Sequence, residues 1–162
     1  MLYMMDNVKR ELSEYEKMVE AAIYEVAEPY KSRLKISRED AELGFEWKIV
    51  PTNSKAADIT VYGVDEVTIN MSVDHIYWLE IFMKKNKWDQ DIEYFKKHLL
   101  AIMQGKIKGW YRKATLSNQW RDKTLLVVDT GIGKPHEWSG NILFTGAFKK
   151  KPGVIKKEYE SY

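Results

Sequence analysis

With 162 residues, 44% of them hydrophobic, the chain can enclose one ordinary core and is too short for two comfortable ones. It contains no cysteine, which excludes disulfides, thiol nucleophiles and thiolate zinc sites at once and suits a reducing compartment. The formal net charge of +2 hides an asymmetry: residues 1–43 carry 7 Lys/Arg and 10 Asp/Glu (net −3), residues 44–105 carry 7 and 9 (−2), and residues 106–162 carry 12 and 5 (+7).

A basic C-terminal third answers either an anionic partner or the chain's own acidic first helix. No run approaches the roughly 18 apolar residues of a membrane span. The short apolar opening Met1 to Met5 runs straight into charge from Asp6 to Lys17, unlike a secretory signal. A cytoplasmic protein with no membrane association is therefore expected.

The first element is an amphipathic helix. Val8, Leu12, Tyr15, Val19, Ala22 and Val26 alternate spacings of four and three, with Glu11, Glu14, Glu16, Lys17 and Glu20 on the remaining arc. Asp6 is placed to accept from the first free amides, and Pro29 ends the helix near Glu28. Ser37 and Asp40 have capping-box spacing, so a single helical turn is predicted before Gly44.

From Gly44 to Val73 the pattern is that of three successive strands. Phe45, Trp47 and Ile49 alternate with Glu46 and Lys48; Ile59 and Val61 with Asp58, Thr60 and Tyr62; Val67, Ile69, Met71 and Val73 with Glu66, Thr68, Asn70 and Ser72. A sheet with one apolar face needs a cover. Two helices are predicted next: one from an Asp74 cap through Asn86, with Ile76, Trp78, Leu79, Phe82 and Met83 around most of its circumference, and one from Asp89 to Gly105 with Ile92, Phe95, Leu99, Leu100 and Met103 inward.

Beyond Gly105 the period returns to two. Ile107, Gly109 and Tyr111 oppose Lys106, Lys108, Trp110 and Arg112, and Thr124 to Val128 is apolar on both faces. Asn141 to Phe148 is expected as a partner strand, joined by a long Asp129 to Gly140 loop that holds His136, Glu137 and Trp138. These elements predict a single α+β domain over residues 1–148, with an antiparallel sheet of five to six strands packed against the N-terminal helix and a central helix pair, in the order α-βββ-αα-βββ. Residues 149–162 read as a basic, mobile tail from which Val154 to Tyr159 can add an edge strand.

Val127 to Gly131 resembles the Asp-Thr-Gly signature of the aspartic proteases. That resemblance implies a second aspartate from another lobe or subunit, and only 31 residues follow Gly131, too few for the remainder of such a unit. Gly131 to Pro135 lacks the glycine spacing and the hydroxyl of a phosphate-binding loop. Asp129, His136 and Glu137 are the residues a hydrolase would use, but nothing in their spacing aims them at one point. His75 and His98 read as surface residues. No catalytic residue, metal ligand or cofactor site is assigned.

Function is then expected to be non-catalytic binding of another protein. The profile is similar in kind to small bacterial inhibitor or immunity proteins that neutralise a toxin, with Lys134, His136, Glu137 and Trp138 as the contact loop. The alternative is a single-stranded nucleic-acid-binding module: Lys106, Lys108, Trp110 and Arg112 share a strand face, with Trp120, Arg121 and Lys123 close in sequence, so that cations neutralise phosphates while rings stack on bases.

Overall fold

A computed structural model describes residues 11–41, 44–63, 67–113, 122–142 and 145–162. Within them the helix α1 spans Glu14–Ala27 and starts at a capping box, in which Glu16 N donates to Ser13 Oγ at 3.2 Å and Ser13 N to Glu16 Oε2 at 2.7 Å. Ser13 therefore holds the cap position. The predicted cap Asp6 and the start at Val8 lie outside the described residues. Pro29 sits at the start of a 3-10 turn, Glu28–Arg33, that closes the helix where expected.

Five antiparallel strands follow as a meander: β1 (Leu34–Ala41), β2 (Gly44–Pro51), β3 (Ile59–Gly63), β4 (Thr68–Val73) and β5 (Tyr77–Phe82), in spatial order β1-β2-β3-β4-β5. The three predicted strands are β2 to β4. Ser37 and Asp40 belong to β1, paired with Lys48 and Phe45, and form no helical turn. A charged edge strand tolerates so polar a sequence because it must satisfy only one neighbour.

The larger correction concerns residues 74–86. Asp74 and His75 adopt left-handed φ values of 53° and 57°, which folds the chain back as a hairpin rather than starting a helix. In β5, Tyr77, Leu79 and Ile81 are buried while Trp78, Glu80 and Phe82 are exposed. The helical pair after the meander is a 3-10 turn at Lys85–Lys87 running into α2 (Trp88–Met103), which ends before Gly105 at a φ of 70°.

The remaining strands form a second antiparallel sheet rather than extending the first: β6 (Ile107–Arg112), β7 (Lys123–Val128), β8 (His136–Gly140) and β9 (Ile155–Glu158), in order β8-β7-β6-β9. The strand beside β7 is β8, not Asn141 to Phe148. Gly131 and Gly133, with φ of 76° and 69°, tighten the connection so that pairing resumes at His136, and Thr145–Phe148 forms a short helix, α3. The C-terminal segment closes the structure: β9 pairs with β6, and Tyr162 donates its hydroxyl to Ala57 O at 2.5 Å and its amide to Met103 O at 2.9 Å.

One core joins these layers. Tyr15, Val19 and Ile23 of α1, Phe95, Leu99 and Ile102 of α2, and Trp47, Ile59, Met71 and Leu79 of the first sheet pack together with Leu126 and Val128 of the second. The architecture is α+β with antiparallel sheets. Where the sheets meet, the Tyr77 phenol lies so close over Gly109 that a Cβ there would collide with it, which explains a glycine in the middle of a strand. No helix among the described residues is long and apolar enough to cross a membrane.

Candidate functional site

The register of the first sheet assigns every side chain to a face. Trp47, Val61, Met71 and Leu79 lie in one cross-strand row on the helix-covered side; Lys48, Thr60, Ser72 and Trp78 form a row on the opposite side, and Glu46, Tyr62, Asn70 and Glu80 form the next. On that outer side Tyr62 and Trp78 reach towards each other across β4, with ring centres 5.2 Å apart. Small residues on β4 make this possible. Ser72, paired in register with Trp78, is buried, and its hydroxyl has no hydrogen-bond partner.

Trp78 is 53% exposed and Phe82, two residues along the same face, is 65% exposed. Carboxylates flank the rings, Glu46 and Glu80 in the Tyr62 row, while Lys48 is already engaged by Glu39 at 2.7 Å. Exposed aromatic rings on a rigid sheet at its edge are costly to keep in water and prone to unwanted pairing, so their presence calls for a use.

The second sheet has a face of different character. Trp110 shares its side with Lys108 and Arg112, and with Lys156 of β9 directly across the strand pair. The Lys149 ammonium stands 4.5 Å and the Lys156 ammonium 5.8 Å from the centre of the half-buried Trp110 ring. Glu158 lies near Lys156 at 3.1 Å and Lys108 at 3.8 Å. Lys123 pairs with Arg112 in register and joins this basic face, whereas Trp120 and Arg121 lie outside the described residues.

Strand alternation divides the residues expected to act together in the Asp129 to Gly140 loop. His136 and Trp138 pair in register with Val128 and Leu126 and turn towards the core, while Glu137 pairs with Val127 on the other side, where it accepts from Thr145 Oγ1 at 2.9 Å and meets Lys149 at 3.8 Å. Asp129 accepts from the Gly131 amide at 2.9 Å and shapes the turn; Lys134 is exposed in it. Trp138 is packed against the core rather than presented as an exposed tip. No acid/base pair converges there.

What His136 and Trp138 do meet is His98, a residue the sequence placed on the surface. His98 is 0% exposed on α2; its Nδ1 lies 3.0 Å from the Tyr94 carbonyl oxygen. Its ring centre lies 4.9 Å from His136 and 5.7 Å from Trp138, and Tyr94 Oη is 3.2 Å from His136 Nδ1. Burial, with the nearby His136 adding to it, holds the His98 imidazole below the usual histidine range despite the opposing carbonyl. Two buried polar atoms in this cluster, His98 Nε2 and Trp138 Nε1, have no partner, each a deficit of about 1–3 kcal/mol. The i, i+4 spacing of Tyr94 and His98 on α2 was the sequence signal for the pair; its link to His136 is purely tertiary.

The chain matches no protein-family model, no curated protein and no solved structure. Among the described residues no three His, Asp or Glu side chains gather as a metal site.

Proposed function

We propose that this is a non-catalytic protein-binding domain whose contact surface is the outer face of β3 to β5. The observation that carries the reading is the exposure of Trp78 and Phe82 on a sheet whose other side is packed along β2 to β5. Aromatic side chains dominate interface energetics because each removes a large apolar area from water at small entropic cost, and a sheet holds them in place before the partner arrives. The placement of His136 and Glu137 on opposite faces of β8 supports binding over hydrolysis at the 129–140 loop. An inhibitor that occludes a toxin by such a face is the specific form this activity would take.

The test is affinity capture from the native source by three immobilised proteins: the wild type, Trp78→Ser/Phe82→Ser, and Lys134→Ala on the turn. A protein retained by the wild type and Lys134→Ala but lost from the double variant supports the assigned face. Loss with Lys134→Ala alone moves the interface to the turn, and recovery of nucleic acid in place of protein rejects the reading.

A second reading keeps support from one arrangement: Lys108, Arg112, Lys123, Lys149 and Lys156 surround Trp110 on the second sheet. Single-stranded nucleic acid is the ligand that such a mixture of cations and a flat ring takes. Lys149 already caps that ring, so stacking requires its displacement.

A further inference from the structure

His98 carries a feature that packing alone leaves unexplained. A carbonyl oxygen only accepts, so the hydrogen bond from His98 Nδ1 to Tyr94 O, at 3.0 Å, fixes the proton on Nδ1 and leaves Nε2 a bare lone pair, buried and without a partner. His136 Nδ1 lies 3.2 Å from the Tyr94 phenol oxygen, which accepts from it in the tautomer that leaves the His136 Nε2 lone pair for a ligand. One residue of α2 thus pins the Nδ1 side of both imidazoles. An oxygen on Nδ1 with Nε2 free is the outer-shell arrangement of metal-ligating histidines.

The spacing agrees. With metal–nitrogen bonds of about 2.0–2.1 Å and a tetrahedral angle, two ligand imidazoles have ring centres about 5 Å apart; His98 and His136 stand 4.9 Å apart with planes inclined at 59°. His98 is fully buried while Tyr94 is 37% exposed and His136 partly so, so solvent approaches the pair from the His136 side. Glu137 points to the opposite face of β8 and contributes no oxygen. All-nitrogen ligation of this kind favours Zn²⁺, Ni²⁺ and Cu²⁺ and disfavours Mg²⁺ and Ca²⁺.

We propose that His98 and His136 form a two-histidine site for a divalent transition-metal ion, clamping β8 to α2, with Tyr94 as the residue that positions both rings and water completing the coordination. The competing use of the lone pair is a hydrogen bond from Trp138 Nε1, which also lacks a partner.

The experiment is a titration of the tag-free, metal-free full chain with Zn²⁺ at neutral pH by calorimetry, repeated with Cu²⁺ under electron paramagnetic resonance. The expected results are one ion per chain, two coupled nitrogens in the Cu²⁺ spectrum, and at least a tenfold loss of affinity in His136→Ala, whose position at the rim keeps the fold intact. Tyr94→Phe retains the carbonyl contact but loses the phenol, and should weaken binding about 10- to 100-fold; His75→Ala on the distant hairpin turn should leave it unchanged. Absence of binding at millimolar Zn²⁺, or affinity unaltered in His136→Ala, overturns the proposal.

Discussion

Replacing Phe82 by alanine separates an interface residue from a core residue by magnitude. Aromatic side chains offer about 150–250 Å² each. With 65% of Phe82 exposed, roughly 130 Å² remains in water in the free protein. Burying it against a partner at about 25 cal/mol per Å² gives about 3 kcal/mol, close to a hundredfold in Kd. The area already covered, about 70 Å², sets an upper limit of about 2 kcal/mol on the stability lost. Phe95, at 0% exposure, reverses the balance: its alanine variant should lose about 3–5 kcal/mol of stability through the cavity left behind. Urea denaturation gives the stabilities of both variants, and biolayer interferometry with the captured partner gives the affinity of Phe82→Ala. A Phe82→Ala protein that binds within threefold of wild type, or that loses as much stability as Phe95→Ala, would refute the assignment of this face.

Gly109→Ala should destabilise by about 1–3 kcal/mol because the new methyl meets the Tyr77 ring, whereas Gly146→Ala, with open space around it, should be nearly neutral; urea midpoints compare the two. His98 has its pKa lowered in the folded state, so the unfolded chain binds its proton first: stability should be fully present above about pH 6.5 and decline as pH falls through that value. Thermal melts between pH 8 and 5 should show this slope, and a His98→Gln protein with an unchanged slope would assign it elsewhere. If the basic face binds single-stranded oligonucleotide, each phosphate contact should contribute about −0.7 to the slope of log affinity against log salt, and Trp110→Ala should cost about 1–3 kcal/mol. Fluorescence anisotropy at two salt concentrations measures both, and no binding at low salt eliminates that reading.

The elements read correctly from the sequence were those whose signal was local. For α2, the apolar periodicity of Ile92, Phe95, Leu99 and Met103 coincided with acidic residues in the first turn and Gly105 after the last. For β4, Ile69, Met71 and Val73 alternated with polar neighbours. Errors arose where the deciding partner was distant. Nothing within residues 136–140 distinguishes a loop from a strand until β7 is beside it, and His98 looks like a surface residue among lysines until β8 covers it. The second sheet could not be told from an extension of the first, because alternation reports which face a residue occupies and not which sheet its strand joins.

The mistaken helix at residues 74–86 has a different origin. Tyr77, Leu79, Ile81 and Met83 do keep the period of two, but Ile76, Trp78 and Phe82 occupy outward positions where polar residues normally make that period visible. Apolar residues on both sets of positions mimic a buried helix. Had β5 been covered on both faces, as a central strand of a parallel sheet is, its outward residues would be buried and the pattern would be ordinary packing. It is the edge strand of its sheet, and those three side chains stand in solvent. The violation of the binary pattern and the candidate binding surface are therefore the same residues. Local rules are broken where a sequence answers to something other than its own fold, and the proposed partner surface at Trp78 and Phe82 would be that other demand.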